Sequence, residues 1–466
     1  MPARPQRTSK APARRRRVDL PRQAALEVLV AVRADEAYTN LVLPATLARH
    51  GLSGRDAGFV TELASGTIRR QGTYDAIIAA CSERPLAKVQ AKVLDVLRLG
   101  THQLLAMRVP DHAAISATVD LARDRVGAGA AGFVNAVLRK VAAHDLDTWI
   151  GQVSTEATFA SVAHSHPAWV VERLAQALGP ARDELDDLLA ADNLSPRVTL
   201  VARPGLAERD ELIAAGAEPL PYSPYAAALP GGNPGEVVAV AEGRAGVQDE
   251  GSQLVALGLA QAVLGGPDLN WLDLCAGPGG KAALLAALAG GRGARVLAVE
   301  RQPHRAGLVA KATAASRTGL RGVVCADGTR PAWPADSFDR VLVDAPCSGL
   351  GALRRRPEAR WRRQPSDLDA LVPLQHALLD SALASVRPGG LVLYATCSPV
   401  LAETADVVNG ALERHPGAVL EDLSGTGALA GIPDAAGPLP GTIQLWPHRH
   451  GTDAMFLALL RRTEPA

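Results

Sequence analysis

Two short apolar runs end in cysteine. Val341-Leu342-Val343-Asp344-Ala345-Pro346-Cys347-Ser348-Gly349 and Leu391-Val392-Leu393-Tyr394-Ala395-Thr396-Cys397-Ser398 each read as a buried strand breaking into a polar turn. A thiolate is a strong nucleophile and a good leaving group, so cysteine at such a point suits covalent catalysis, in which one hard step becomes two easier ones. With a reference pKa of about 8.5, a free thiol is only a few per cent ionised at neutral pH, so its surroundings must activate it. Position alone does not say which of Cys347 and Cys397 attacks. The other cysteines read differently. Cys81 and Cys325 fit as small apolar filler, and Cys275 as a turn residue whose backbone meets a ligand while its thiol is incidental.

The elements that must hold these thiols follow from Trp271-Leu272-Asp273-Leu274-Cys275-Ala276-Gly277-Pro278-Gly279-Gly280-Lys281. Strand, glycine turn and an Ala/Leu-rich helix, in that order, open a doubly wound α/β domain whose ligand sits at the strand carboxyl ends. Glycines let the backbone approach a ligand closely, and a helix start offers unpaired N–H groups. Lys281 is followed by Ala282 and no glycine stands at the offset of a phosphate-binding loop; the dinucleotide pattern G-x-G-x-x-G is not met either. The next strand, Val296 to Val299, closes on Glu300, placed for a ribose hydroxyl pair, and a third, Val323 to Ala326, on Asp327, placed for an adenine edge. A loose glycine turn with two strand-end carboxylates fits S-adenosyl-L-methionine better than NAD. The expected cofactor-binding set is Cys275, Ala276, Gly277, Pro278, Gly279, Gly280, Lys281, Glu300 and Asp327, with Asp344 added below. Lys281 is expected near Asp344 across the strand ends, because a helix N-terminus by itself disfavours a cation.

The motifs Asp-Leu-Cys-Ala-Gly-Pro-Gly-Gly-Lys, Asp-Ala-Pro-Cys-Ser-Gly and Thr-Cys-Ser, in this order, resemble the Sun family of RNA cytosine-5 methyltransferases. Upstream, Leu63-Ala64-Ser65-Gly66-Thr67-Ile68-Arg69, Val96-Leu97-Arg98-Leu99-Gly100-Thr101-His102-Gln103-Leu104-Leu105 and Gly132-Phe133-Val134-Asn135-Ala136-Val137-Leu138-Arg139 are similar to the NusB-type helical RNA-binding domain. The resemblance covers roughly 20–462. It implies an all-α NusB-like bundle ahead of a Rossmann-like methyltransferase that forms 5-methylcytosine in small-subunit (16S) rRNA through a covalent adduct. A tRNA target with the same chemistry, or an inert NusB-like scaffold, are the rival readings. Carbon-5 of cytosine is too weak a nucleophile to take a methyl group from a sulfonium; a thiolate adding to carbon-6 places electron density on carbon-5. By resemblance Cys397 is the nucleophile, Cys347 assists product release, and Asp344 belongs to the cofactor end of the site. A base inside a duplex cannot reach these thiols, so the target must be unpaired or flipped out. Two departures stand out. Val-Thr-Leu-Val-Ala-Arg over 198–203 replaces the family's Leu-Arg-Val-Asn, and Asp453-Ala454-Met455-Phe456 replaces its Asp-Gly-Phe-Phe.

A length of 466 residues exceeds one ordinary domain, and 47% apolar residues are ample for packed cores. The expected division is a basic disordered arm over 1–18, the NusB-like domain over 19–150, a linker and small α/β RNA-binding subdomain over 151–245, and the catalytic domain over 246–466. Helical periodicity marks Arg22 to Val32, Arg55 to Arg69, Val89 to Met107, Ile115 to Arg125 and Gly132 to Ala143, with Asp111-His112 as a turn. Net charge is +1, so RNA affinity must come from local clusters. One candidate is the run Leu353 to Arg363, whose six arginines and Trp361 suggest phosphate contacts and a stacking surface. Five cysteines without C-x-x-C spacing indicate reduced thiols in a cytoplasmic protein, with neither disulfides nor zinc. His164, His166, His448 and His450 lack partners at ligand spacing and read as surface or RNA-facing residues. No membrane span and no metal are expected, RNA is the expected partner, and a monomer is favoured.

Overall fold

The computed structural model describes residues 19–463, so the basic arm expected over 1–18 lies outside the described residues. The chain divides into two compact units, Met1–Val153 and Ser154–Ala466, each with its own buried core.

Helices alone build the described part of the first unit. Leu20–Ala34, Gly54–Arg69, Ala91–Leu105, Asp111–Arg125 and Ala128–Val141 follow the periodicity of the sequence. Asp19 caps the first, its carboxylate accepting from the Arg22 amide at 3.2 Å. Asp111-His112 is the opening turn of a helix rather than a loop, since Pro110 already supplies the break at its N-cap. Three further helices, Thr39–His50, Gln71–Cys81 and Leu146–Val153, escape the pattern. The first contains Pro44 and buries only Thr39, Leu43 and Thr46, so its apolar stripe is faint. The second follows the preceding helix after Arg70 alone, with no breaker between them. The NusB-like segments meet where Gly66 faces His102: a Cβ at Gly66 would lie 2.4 Å from that imidazole. His102 Nδ1 in turn is 2.8 Å from the Tyr74 hydroxyl.

The second unit holds two sheets. The smaller is antiparallel, in the order β2-β3-β1-β4, with β1 Val198–Ala202, β2 Glu218–Pro219, β3 Ala226–Leu229 and β4 Ala245–Val247. The larger contains β5 Asn270–Asp273, β6 Arg295–Glu300, β7 Leu320–Cys325, β8 Phe338–Asp344 and β9 Val386–Thr396. It is completed by β10 Ala418–Glu421, β11 Ile443–Gln444 and β12 Phe456–Arg462. Five of these strands are parallel, in the order β9-β8-β5-β6-β7. Antiparallel β12 lies beside β9, β10 lies beyond it, and β11 pairs with β12.

Both faces of the central strands β5, β8 and β9 are covered, which is why the sequence shows apolar runs there rather than alternation, whereas β7 at the edge stays partly exposed. Leu342, Leu391 and Leu393 join the core of helices Glu250–Gln261 and Gly280–Gly290 on one face. Val341, Val343, Val392 and Tyr394 join that of Leu368–Ser385 and Ala405–Arg414 on the other. Fully burying each such side chain contributes roughly 1.5–3 kcal/mol. The strand order reverses between β5 and β8, and a doubly wound sheet opens a ligand crevice at the carboxyl ends there.

Candidate active site

The parallel register of β8 and β9 sets Asp344 opposite Ala395, so the two cysteine loops leave the sheet side by side. Ala345 donates its amide to the Ala395 carbonyl and Gly351 its amide to the Cys397 carbonyl, both at 2.9 Å. Cys347 Sγ and Cys397 Sγ end 3.5 Å apart. Their surroundings are unequal. The hydrogen bond between the two sulfurs holds Cys397 below the usual range; burial and Asp344 oppose this, and Arg356 and Lys281 reinforce it. Cys347 is driven well above that range by the same bond, by burial, and by the negative charges of Cys397, Glu403 and Asp344. The two thiols are thus unequal, with Cys397 the more readily ionised of the pair.

Beside them Lys281 Nζ lies 3.0 Å from Asp344 Oδ2, the ion pair expected across the strand ends. Burial works against the ammonium, yet Asp344 outweighs it, with help from Cys397 and Asp273, and keeps Lys281 charged. The turn 275–280 leaves β5, and the helix Gly280–Gly290 begins directly behind it. Glu300, at the end of β6, is 6% exposed; its Oε1 accepts from the Gln302 amide at 2.9 Å and its Oε2 lies 3.5 Å from Arg305 Nε. Arg305 also donates to the Gly277 carbonyl at 2.7 Å, tying the end of β6 to the glycine turn. Asp327 follows β7 and folds over its own turn, accepting from the Thr329 amide and hydroxyl at 3.0 and 2.8 Å. Those bonds hold it below the usual carboxylate range.

Two residues outside the expected set also stand at this site. Asp273 ends β5, is fully buried, and is pushed up to about 7 by burial and then by Asp344. Gln248 lies under the glycine turn, where a Cβ at Gly280 would meet its amide carbon at 3.7 Å. Asp273 Oδ2 and Gln248 Oε1 are both buried without a hydrogen-bond partner. Asp273 is visible as the acidic end of an apolar strand, whereas Gln248 precedes its helix and nothing local marks it.

The arginine run departs from expectation. Arg354 and Arg360 are 8% and 0% exposed and cannot meet a phosphate. Arg360 donates to the Ser165 and Asp192 carbonyls at 3.2 and 3.1 Å and to Asn193 Oδ1 at 2.8 Å. Arg355 pairs with buried Asp453, and Arg363 donates to the Ser348 carbonyl at 3.0 Å. A guanidinium has five donors in a fixed fork, so it suits places where several chain ends converge. Arg354 and Arg360 anchor this segment in the interior, and Arg363, about one-third exposed, ties it back to the Cys347 loop. Nor do the histidines all lie at the surface, although His164 remains partly exposed. His166 and His450 are buried, and His448 Nε2 is 2.8 Å from Glu184 Oε2. His450 accepts from the Trp446 amide at 2.8 Å, an internal turn bond. His164 lies 3.4 Å from Asp186. Cys81 is buried as filler should be, but Cys325 is exposed at the end of β7 and fills nothing. Among the described residues no His, Cys, Asp or Glu cluster is arranged to hold a metal, and no helix is long and apolar enough to cross a membrane.

Known proteins resemble this chain in both of its units. Residues 264–461 match the family model described as 16S rRNA methyltransferase RsmB/F, and residues 19–143 match the NusB family. A Mycobacterium tuberculosis protein with a provisional methyltransferase name, Rv1407, is 52% identical over 456 residues, 96% of this chain and 98% of that one. Ribosomal RNA small subunit methyltransferase B of Pseudomonas syringae is 34% identical over 460 residues, 94% of this chain and 96% of its own. The solved structure of PH0851 shares the fold, with a TM-score of 0.80 at 22% identity over 96% of this chain and 99% of that one. With relatives matched over nearly its whole length, the chain belongs to the RsmB/F family of 16S rRNA methyltransferases and carries a NusB-family segment ahead of its catalytic one.

Proposed function

We propose that this methyltransferase moves a methyl group from S-adenosyl-L-methionine to carbon-5 of a cytosine in small-subunit rRNA, with Cys397 as covalent nucleophile. One observation carries the reading: two thiols 3.5 Å apart at neighbouring strand ends, with a lysine–carboxylate pair beside them. The cofactor fits the glycine turn. A Cβ at Gly277 would lie 1.9 Å from Glu300 Oε2, so the turn is bare backbone where the ribose carboxylate stands. Asp273 Oδ2 and Gln248 Oε1 offer buried, unpartnered acceptors next to it. Glu300 would hold the ribose, Asp327 the adenine edge, and Asp344 the amino-acid end.

Bound there, S-adenosyl-L-methionine supplies an electrophilic sulfonium methyl. Cys397, kept as thiolate, adds to carbon-6 of the base and makes carbon-5 nucleophilic. Lys281 and Asp344 lie beside the thiolate and orient the ring. Once carbon-5 carries the methyl group, its proton passes to a water molecule acting as base, the C–H electron pair re-forms the C5=C6 bond, the C6–S bond breaks, and the S–H of Cys347 stabilises the departing Cys397 thiolate. Cys397→Ala should abolish methyl transfer, whereas Cys347→Ala should leave RNA covalently attached, seen as a slowed band in denaturing gels. An adduct with Cys397→Ala instead would exchange the two roles. Bisulfite sequencing of RNA from cells with and without the gene tests the substrate. One protected cytosine should disappear from small-subunit rRNA; its loss from tRNA would keep the chemistry and move the target.

A further inference from the structure

Beneath the two cysteine loops lies a carboxylate that the mechanism above does not use. Glu403 ends the short turn Leu401–Glu403 that follows β9, and it is fully buried. Its Oε1 accepts from the Ser348 amide at 2.7 Å and from Gln375 Nε2 at 3.1 Å. Its Oε2 accepts from the Ser348 hydroxyl and from the Ser398 hydroxyl, the latter at 2.6 Å. Gln375 also donates to the Pro346 carbonyl at 2.8 Å, and the Tyr394 hydroxyl donates to the Glu403 carbonyl at 2.8 Å. A carboxylate taken out of water is costly unless donors surround it, and here they do. Ser348 directly follows Cys347, and Ser398 directly follows Cys397. One side chain therefore grips the residue next to each thiol.

We propose that Glu403 is the positioning residue that fixes Cys347 against Cys397 and keeps Cys347 the proton-bearing member of the pair. This rests on the reading of Cys397 as nucleophile. Geometry is the first support, since both loops are pinned by the same carboxylate. Charge is the second. Glu403 is among the negative groups that press on Cys347, whereas Cys397 answers chiefly to Cys347, burial, Asp344, Arg356 and Lys281. Other ionisable groups around the pair are Arg355, held by Asp453, Tyr394, and Arg363, which donates to the Ser348 and Cys347 carbonyls at 3.0 and 3.5 Å. None of them bonds to both loops. A neutral amide at 403 would keep the shape, remove the charge, and turn an N–H toward the Ser348, Ser398 and Gln375 donors.

The full-length Glu403→Gln variant should therefore lose about 100-fold in kcat, the scale of a small misplacement of reacting groups, with KM for RNA and for S-adenosyl-L-methionine within about twofold. Iodoacetamide labelling at neutral pH without RNA, located by mass spectrometry, should fall at Cys397 and rise at Cys347, changing their ratio about tenfold. Ser398→Ala removes one donor but leaves the charge; it should lose about tenfold in kcat and keep its label on Cys397. The proposal is overturned if Glu403→Gln labels like the wild type with kcat within about twofold, or if it loses cofactor affinity together with activity, which marks a merely structural role. Failure of Cys347→Ala to trap RNA would count against the nucleophile assignment alone. The labelling ratio, taken without RNA, would still report on Glu403.

Discussion

At Gly277 the turn has no room for a single methyl group. An alanine there would drive its Cβ to 1.9 Å from Glu300 Oε2 and to 2.9 Å from the Arg305 guanidinium. Either the carboxylate or the turn must move, and both belong to the proposed cofactor site. Gly277→Ala should weaken S-adenosyl-L-methionine binding in calorimetry by about 10–100-fold, roughly 1.4–2.8 kcal/mol, while RNA retention on filters stays unchanged. Unchanged cofactor affinity would mean that Glu300 does not share the ligand with the turn. Chemistry of this kind is legible in sequence when residue type and local pattern coincide, as they do for Gly277, Cys347 and Cys397. Glu403 is illegible for the converse reason. Ala402-Glu403-Thr404 looks like an ordinary polar turn, and its meaning comes from Ser348 and Gln375, 55 and 28 residues away.

Among the elements, the central parallel strands were the easiest to foresee, because burial on both faces forces a continuous apolar run. The segment after Cys347 was the hardest. Its arginines advertise charge, but not the carbonyls of Ser165 and Asp192 that lie more than 160 residues earlier in sequence and end against Arg360. Helices Ala168–Leu178 and Leu185–Ala191 share a core with Leu350, Leu353 and Val400, so the cysteine loops and this helical segment are packed as one body. Arg360→Met keeps the apolar stem but strands three acceptors. It should cost about 3 kcal/mol, in the range for breaking a buried charged network. The salt dependence of RNA binding should be unaltered, since a fully buried arginine releases no counterion from phosphate. A shallower slope of log affinity against log salt, with stability intact, would return Arg360 to the RNA-facing surface.

For the molecule as a whole, the net charge of +1 hides a buried charge cluster that makes stability depend on pH. Asp192 is 1% exposed and neither carboxylate oxygen has a hydrogen-bond partner. Burial pushes it up to about 7 against the pull of Arg360 and Arg354, with Asp453 adding to the rise. In the unfolded chain an aspartate titrates near 3.9. Between these values the folded state holds a proton that the unfolded state lacks, so this group's contribution is full below about pH 4 and lost as pH rises through about 7. His166 Nε2, 3.5 Å away, acts in the opposite sense. Burial holds it well below 6.5, so its contribution is present above that value and falls as pH drops. Asp192→Asn removes only the first effect, and its amide gives up no bond that the carboxylate made. The variant should exceed the wild type in stability by about 1–3 kcal/mol at pH 8, with the difference closing toward pH 4. Calorimetry of the full chain would show where the effect lies. Because each unit has its own core, the transition of the unit holding Asp192 should rise by a few degrees, and that of the helical unit should stay put. A variant less stable than the wild type at pH 8 would mean that Arg360 and Arg354 hold the ionised Asp192 more strongly than burial expels it, so that folding does not raise its pKa.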